Sequence, residues 1–396
     1  MKRILYISLD GLLDPLGSSQ ILPYISSSSK SDLIFFICTI ENKNNINKIK
    51  NLKKIIEKNK NLHWEYYLFK KKRGKINRLL ELILLYALTI KIFLLKQIDI
   101  LHSRSYLPMF ICIFLKLFSK VKIIFDTRGS WFDERIEGGM LKQNGIDLVI
   151  YKILKRIEFL LFKFSDYIIF LTNNGLNKVN KSFIKDKNIS IIPCAADYNL
   201  FKILDIEKKN KIKKSLGLEE KFIITYSGSL GSWYNFDQII KFYGNFLFKY
   251  PDTFLIILTQ SDIQKELLNF PDHIKNKIIF LSAKREFIPE IIGVSDLTLC
   301  FIKKTPSKIF SSPTKVGESL GCGVPIVYNE GIGDLDDDLE SMKLGYRLNQ
   351  NGFVNETDLE QIILSGKSKL QIRENSIKKY GLENAVKKFV EIYKSI

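Results

Sequence analysis

The sequence predicts an α/β protein made of two doubly wound, Rossmann-like domains. Short continuous apolar runs alternate with amphipathic stretches, the pattern of parallel strands covered by helices on both faces. The series runs to residue 193, breaks at "AADYNLFK" and a lysine-rich linker over 208–214, then restarts at residue 221. A length of 396 residues accommodates two domains of ordinary size.

In the first half the expected strands are 3–9, 33–40, 100–103, 121–127, 167–172 and 189–193; in the second, 221–228, 253–259, 277–282, 297–302 and 324–328. These divide the chain into a domain over 1–198 and another over 199–375, with a ligand cleft at the strands' carboxyl ends. The tail 376–396 has a strongly amphipathic helical pattern. Residues 79–95, "LLELILLYALTIKIFLL", come nearest to a membrane span, but Glu81 and Lys91 interrupt them and "KKKRGKINR" precedes them. A buried helix of the first domain is one reading, and a helix lying on anionic lipid is the other.

Composition narrows the class. A hydrophobic content of 46% with 26% charged residues describes a globular chain. The five cysteines are scattered without a CxxC pair and there are three histidines, so neither a disulfide framework nor a zinc site is expected, and a reducing compartment follows. "MKRILYISLD" reads as a strand rather than a signal peptide. The net charge of +19 is uneven: residues 1–200 hold 33 Lys and Arg against 17 Asp and Glu, and the remainder 28 against 25. That asymmetry favours an anionic surface near the first domain, either membrane lipid or nucleic acid.

Polar clusters follow several strands. "SSPTKVGESLGCGVP", 311–325, reads as a helix capped by Ser312 and started by Pro313, ending at the Gly321–Gly323 turn. Lys315 and Glu318 are three apart on one face, beside Thr314: a cation near a helix N-terminus suits a diphosphate, and a carboxylate one turn on suits a sugar diol. A capped surface helix with an ordinary Lys–Glu pair is the alternative. "DGLLDPLGSSQILPY" puts Gly17, Ser18 and Gln20 in a strand-to-helix turn without a G-x-G-x-x-G fingerprint. "FDTRGSWFDERIEGG" gathers Asp126, Arg128 and Glu134 around Trp131. "YSGSLGSWYNFDQII" makes a second phosphate-compatible turn at Gly228 and Ser229, and "SAKREF" puts Arg285 on the same expected edge. "DLDDD", 334–338, contains a nominal D-x-D but reads as a solvated turn.

Taken in order, these stretches and the tail "YGLENAVKKFVEIYKSI" resemble bacterial family-4 (group 1) glycosyltransferases of the GT-B fold over nearly the whole chain. The most specific part is S-P-T-K-x-x-E-x-x-x-x-G-x-P-[IV]. The resemblance implies two Rossmann-like domains facing a central cleft, with acceptor on the first, nucleotide sugar on the second, and the final helix packed back onto the first. Glu318 then matches the glutamate that holds the donor ribose, while Gly228, Ser229 and the helix start at Ser312–Lys315 face the diphosphate. Gly17, Ser18 and Gln20 approach the donor from the opposite domain; Asp126, Arg128 and Glu134 position the acceptor.

Two departures stand out. The family's frequent first glutamate falls on Phe310, and its usual basic pair after the glycine turn corresponds to Ser229 and Tyr234. Lys315, Arg285, Lys303 or Lys304 must then supply the diphosphate clamp. The resemblance further implies a retaining, metal-independent transfer with no cofactor. Joined to the basic first domain, it gives the reading of a transferase acting on a glycan or lipid-linked acceptor in surface polysaccharide synthesis, peripheral on the cytoplasmic face of the membrane, with no nucleic-acid partner. Two readings remain open beside it: a nucleotide-sugar epimerase of the same fold and a non-catalytic module for anionic polymers.

Overall fold

A computed structural model of the chain describes residues 1–70, 74–231, 233–261, 270–349, 354 and 368–396. Lys71, Lys72 and Arg73 of the basic lead-in, and Ser232 of the second glycine turn, lie outside the described residues. The chain forms two compact units, Met1–Pro193 with Leu382–Ile396, and Cys194–Gly381.

The first unit holds a seven-stranded sheet of β1 (Lys2–Ile7), β2 (Leu33–Asn42), β3 (Leu62–Phe69), β4 (Ile100–Arg104), β5 (Lys122–Asp126), β6 (Tyr167–Phe170) and β7 (Asn188–Ile191). All pairs are parallel, in the order β3-β2-β1-β4-β5-β6-β7. Parallel pairing requires crossovers, and the order reverses between β1 and β4, so the carboxyl ends of these two strands open a crevice. β3 was absent from the expected series because "LHWEYYLF" mixes charged and aromatic residues instead of forming an apolar run. It is held by Trp64, whose indole N–H donates to Thr39 Oγ1 at 2.9 Å.

The second unit repeats the design with β8 (Phe222–Ser227), β9 (Thr253–Leu258), β10 (Ile278–Leu281), β11 (Leu297–Cys300), β12 (Ile326–Tyr328) and β13 (Gly345–Arg347), ordered β10-β9-β8-β11-β12-β13 and again parallel. Its crevice lies between β8 and β11. β13, three residues at the sheet edge, has no apolar run to announce it.

The unit boundaries differ from those expected. The first falls after Pro193 rather than after residue 198, because Tyr198 and Phe201 pack into the second unit's core with Leu320 and Cys322. The tail is two helices rather than one over 376–396: Lys369–Tyr380 packs in the second unit and Leu382–Ser395 belongs to the first. Gly381 separates them in extended conformation, pairing with Ala196 as a bridge; a Cβ there would lie 2.5 Å from the Ile377 carbonyl oxygen. "DLDDD" is also not a solvated turn. It opens the helix Leu335–Ser341, where buried Asp338 accepts from Tyr380 Oη at 2.6 Å and pairs with Lys379.

Leu382–Ser395 completes the first core. Phe389 meets Tyr24 edge-on with ring centroids 5.6 Å apart, and Tyr393 Oη lies 2.8 Å from His102 Nδ1 in the middle of β4. Truncating a buried phenylalanine loses its transfer free energy and leaves a cavity. Phe389→Ala is therefore expected to cost roughly 3–5 kcal/mol, read as a lower urea midpoint of tryptophan fluorescence; an unchanged midpoint would show that this helix is not part of the first unit's core.

Candidate functional site

In the second unit the helix Thr314–Gly321 sits behind the β8 turn. Pro313, not Ser312, occupies its N-cap, and no side chain caps it. Ser312 Oγ instead accepts from the Cys194 N–H at 3.1 Å and fastens the start of the unit, so its expected capping role passes to a structural one.

Lys315 points inward. Its ammonium lies 4.3 Å from the ring centroids of both Tyr226, on β8, and Tyr234, beyond the glycine turn. The residue is 9% exposed, and Nζ has no hydrogen-bond partner among the described residues. Two aromatic faces stabilise a desolvated cation by roughly 2 kcal/mol each, short of the several kcal/mol that burying an unpaired charge costs. Burial accordingly pulls the Lys315 pKa down to about 8, with Cys300 and Glu318 opposing the shift.

Gly228 ends β8 at φ 144°, in a region that favours glycine, and a Cβ placed there would stand 2.9 Å from Lys315 Nζ. The Tyr226 hydroxyl holds the turn by donating to the Ser229 carbonyl at 2.6 Å. One turn along the helix, buried Glu318 accepts from Arg285 Nη1 at 3.1 Å. Burial pushes the Glu318 carboxyl above its ordinary range, and Arg285 only partly restores it. The structure thus brings together Gly228, Ser229, Thr314, Lys315, Glu318 and Arg285. Lys304 lies outside this group, in an exposed ion pair with Glu330 at 2.5 Å. Lys303 is exposed.

The first unit's crevice has a second polar cluster. Asp126, at the end of β5 and fully buried, lies 3.6 Å from His102 Nε2, 3.7 Å from Arg128 Nη1 and 4.0 Å from Arg104 Nη1. Neither carboxylate oxygen makes a hydrogen bond among the described residues. Burial pushes the Asp126 carboxyl up, and Arg128, His102 and Arg104 more than reverse it, so it ends below its ordinary value. Arg128 adopts φ 56°, strain of about 1–2 kcal/mol for a residue with a side chain. Its Nη2 donates to Gln20 Oε1 at 3.3 Å, which joins the end of the helix Pro15–Gln20 to the β5 loop. Glu134 lies beside Gly129, 3.8 Å from where a Cβ would be.

Gly17, Ser18 and Gln20 lie within the helix Pro15–Gln20 rather than in the turn before it, and Gly17 is a packing glycine. A Cβ there would fall 1.8 Å from the Gly11 carbonyl oxygen, inside the turn, so no side chain fits whatever binds. Ser18 Oγ donates to the Pro15 carbonyl at 3.2 Å. Glu41 was not anticipated: at the end of β2 it accepts from the Leu12 N–H at 2.7 Å and from Thr39 Oγ1 at 2.8 Å, and it fixes the loop from within. His102, Arg104 and Tyr226 were also missed. Their only signal was polarity inside apolar strands, as in "ILHSR". Among the described residues no three His, Cys, Asp or Glu side chains gather closely enough to hold a metal ion.

No family model matches the chain. A curated relative, an uncharacterized glycosyltransferase of Methanocaldococcus jannaschii, is 26% identical over 293 residues, which cover 70% of this chain and 66% of that one, just under two thirds of its length. Among solved structures, HepE of Anabaena in complex with UDP-glucose superposes with a TM-score of 0.68 at 14% identity, covering 100% of both chains. Sucrose-phosphate synthase of Thermosynechococcus elongatus gives 0.71 at 12%, covering 100% of this chain and 99% of that one. A glycosyltransferase of Rickettsia africae gives 0.66 at 15%, over 100% and 98%. With its two parallel-sheet Rossmann-like units, the chain has the GT-B fold.

The buried lysine makes stability depend on pH. Below about 8 the ammonium is charged in both folded and unfolded chains and the burial cost is complete; between about 8 and its ordinary 10.5 only the unfolded chain keeps the proton, so stability rises with pH. Lys315→Met is expected to stabilise the unliganded protein at neutral pH by roughly 1–3 kcal/mol, a gain that shrinks toward pH 10.5. Paired melts of wild type and variant across that range check it, and a destabilised variant at neutral pH would contradict it.

Proposed function

We propose that this protein is a glycosyltransferase whose Cys194–Gly381 unit binds a nucleotide-diphosphate sugar. The observation that carries the reading is Lys315: a buried ammonium with no hydrogen-bond partner among the described residues, directly behind a turn whose glycine leaves the approach open. An anion there would supply the missing partners. A diphosphate over Gly228 takes charge-assisted hydrogen bonds from Lys315, and the ribose hydroxyls donate to Glu318, held in place by Arg285. The relative's description as a glycosyltransferase and the complex of HepE with UDP-glucose support the same reading.

Transfer breaks the bond between the sugar's anomeric carbon and the diphosphate oxygen and forms one from that carbon to an acceptor hydroxyl oxygen. Negative charge grows on the departing diphosphate, where the fixed cation of Lys315 stabilises it without reorganisation. In a front-face displacement the acceptor proton passes to the departing diphosphate oxygen, so configuration is retained and no strong protein base is required. Asp126, Arg128 and Glu134, with Arg104 beside them, position the acceptor. We assign as acceptor a glycan or lipid-linked saccharide of surface polysaccharide synthesis, handled at the cytoplasmic face of the membrane, without a metal cofactor.

The test is a panel of nucleosides, nucleoside mono- and diphosphates and their sugar conjugates in thermal shift and calorimetry. One diphosphate is expected to stabilise the wild type regardless of added Mn²⁺. Glu318→Ala should weaken nucleoside and diphosphate alike by about 10–100-fold, the value of a hydrogen bond to a charged group. Lys315→Met should weaken only the diphosphate. A wild type that responds to no nucleotide sinks the proposal.

Affinity for the diphosphate should also fall as pH rises through about 8, where free Lys315 loses its proton. In Lys315→Arg the decline should be absent over the same range, since an arginine stays charged. A wild-type affinity flat from pH 7 to 9 would remove Lys315 from the diphosphate site.

A further inference from the structure

The first unit exposes aliphatic side chains in a pattern its own core does not use. On the helix Lys75–Leu95, Leu85, Leu88 and Ile92 are buried, whereas Ile76, Leu79, Leu80 and Ile83 recur at helical spacing on an outer face. On the helix Gly145–Phe164, Ile146, Val149, Ile150 and Ile153 repeat the same spacing. Every member of both sets is between 39% and 79% exposed.

The two helices share a neighbour, the helix Tyr106–Leu117. Tyr86, on Lys75–Leu95, donates its hydroxyl to the Leu107 carbonyl at 2.6 Å, and the Tyr106 hydroxyl donates to Glu158, on Gly145–Phe164, at 2.9 Å.

Exposed charge around this surface is cationic. Lys142, Lys152 and Arg156 are exposed, and Arg78 is half exposed. The acids nearby are engaged: Glu81 pairs with Arg78 at 2.7 Å, Glu158 with Lys155 at 2.5 Å and Tyr106 at 2.9 Å, and Asp147 accepts from the Lys142 N–H at 2.9 Å. No helix among the described residues is long and apolar enough to cross a membrane. Aliphatic rows in a cationic surround match an anionic bilayer, whose headgroups meet the cations while the aliphatic groups pass below them. A second copy seated symmetrically on the same face would set Arg78, Lys142, Lys152 and Arg156 against their own kind.

We propose that these two helix faces seat the protein on an anionic lipid bilayer, with Ile76–Ile83 and Ile146–Ile153 entering the headgroup boundary. The inference needs neither donor nor acceptor, and its test contains no nucleotide, so its failure leaves the transferase reading standing. The full chain is co-sedimented with phosphatidylcholine vesicles, with and without phosphatidylglycerol.

Binding is expected only with phosphatidylglycerol and should weaken with salt. Combined Leu79→Ser, Ile83→Ser, Val149→Ser and Ile150→Ser should lower it about tenfold or more, with circular dichroism and melting unchanged because these side chains are exposed. Lys142→Gln with Lys152→Gln should reduce the preference for phosphatidylglycerol. Wild type that ignores anionic vesicles, or a folded serine variant that binds as well as wild type, overturns the proposal. So does a wild-type dimer that the serine substitutions dissociate without any vesicle binding, since the occupant would then be a second copy.

Discussion

Much of the second unit is arranged around one buried ammonium. Lys315 cannot turn to solvent because its helix is buried along its length, so the sheet must accommodate the charge. It does so with aromatic faces from Tyr226 and Tyr234 and with a missing side chain at Gly228. These positions come from β8, the turn after it and a helix far along the chain, yet none can change independently. A side chain at 228 would collide with Nζ, and loss of either tyrosine would leave the cation more poorly compensated. The family resemblance expects basic residues after the glycine turn, where this chain has Ser229 and Tyr234. Here Lys315, in its tyrosine cage, puts a cation behind the same turn.

Both sheets were legible because parallel strands buried on two faces are written as apolar runs, and all of those identified became strands. β3 and β13 were not legible, since edge strands need only one covered neighbour and can carry His63, Glu65 or Arg347 without cost. Within the site, Lys315 and Glu318 could be found from spacing because a helix repeats every few residues. Tyr226, His102 and Arg104 could not, because the charged groups they face come from elements far along the chain, and such pairing leaves no local trace. The same limit explains Ser312, whose partner is the Cys194 N–H rather than its own helix.

In the first unit two costly features meet at one strand end. Arg128 holds a left-handed backbone, and the Asp126 carboxylate is buried without a hydrogen bond among the described residues, both at the carboxyl end of β5. Each conflicts with what an isolated strand end would prefer, and each persists because the surroundings over-determine it. Gln20 fixes Arg128 from the helix Pro15–Gln20, Glu41 fixes the loop before that helix from β2, and Tyr393 anchors His102 beneath them. The helix Leu382–Ser395 thereby reaches the polar cluster through the core.

The two shifted groups of the second unit reveal what the pocket lacks. Burial moves Lys315 toward losing its proton and Glu318 toward gaining one, so both are pushed toward neutrality. Had the site evolved only to pair these residues with each other, a direct ion pair would have relieved both shifts at once. Instead Glu318 bonds Arg285, and Lys315 faces rings and an open turn. A ligand that is anionic where it meets Lys315 and carries hydroxyl donors where it meets Glu318 would favour the charged form of each. Nucleoside diphosphates carry those two chemistries next to each other, and the proposed function rests on that match more than on any single contact.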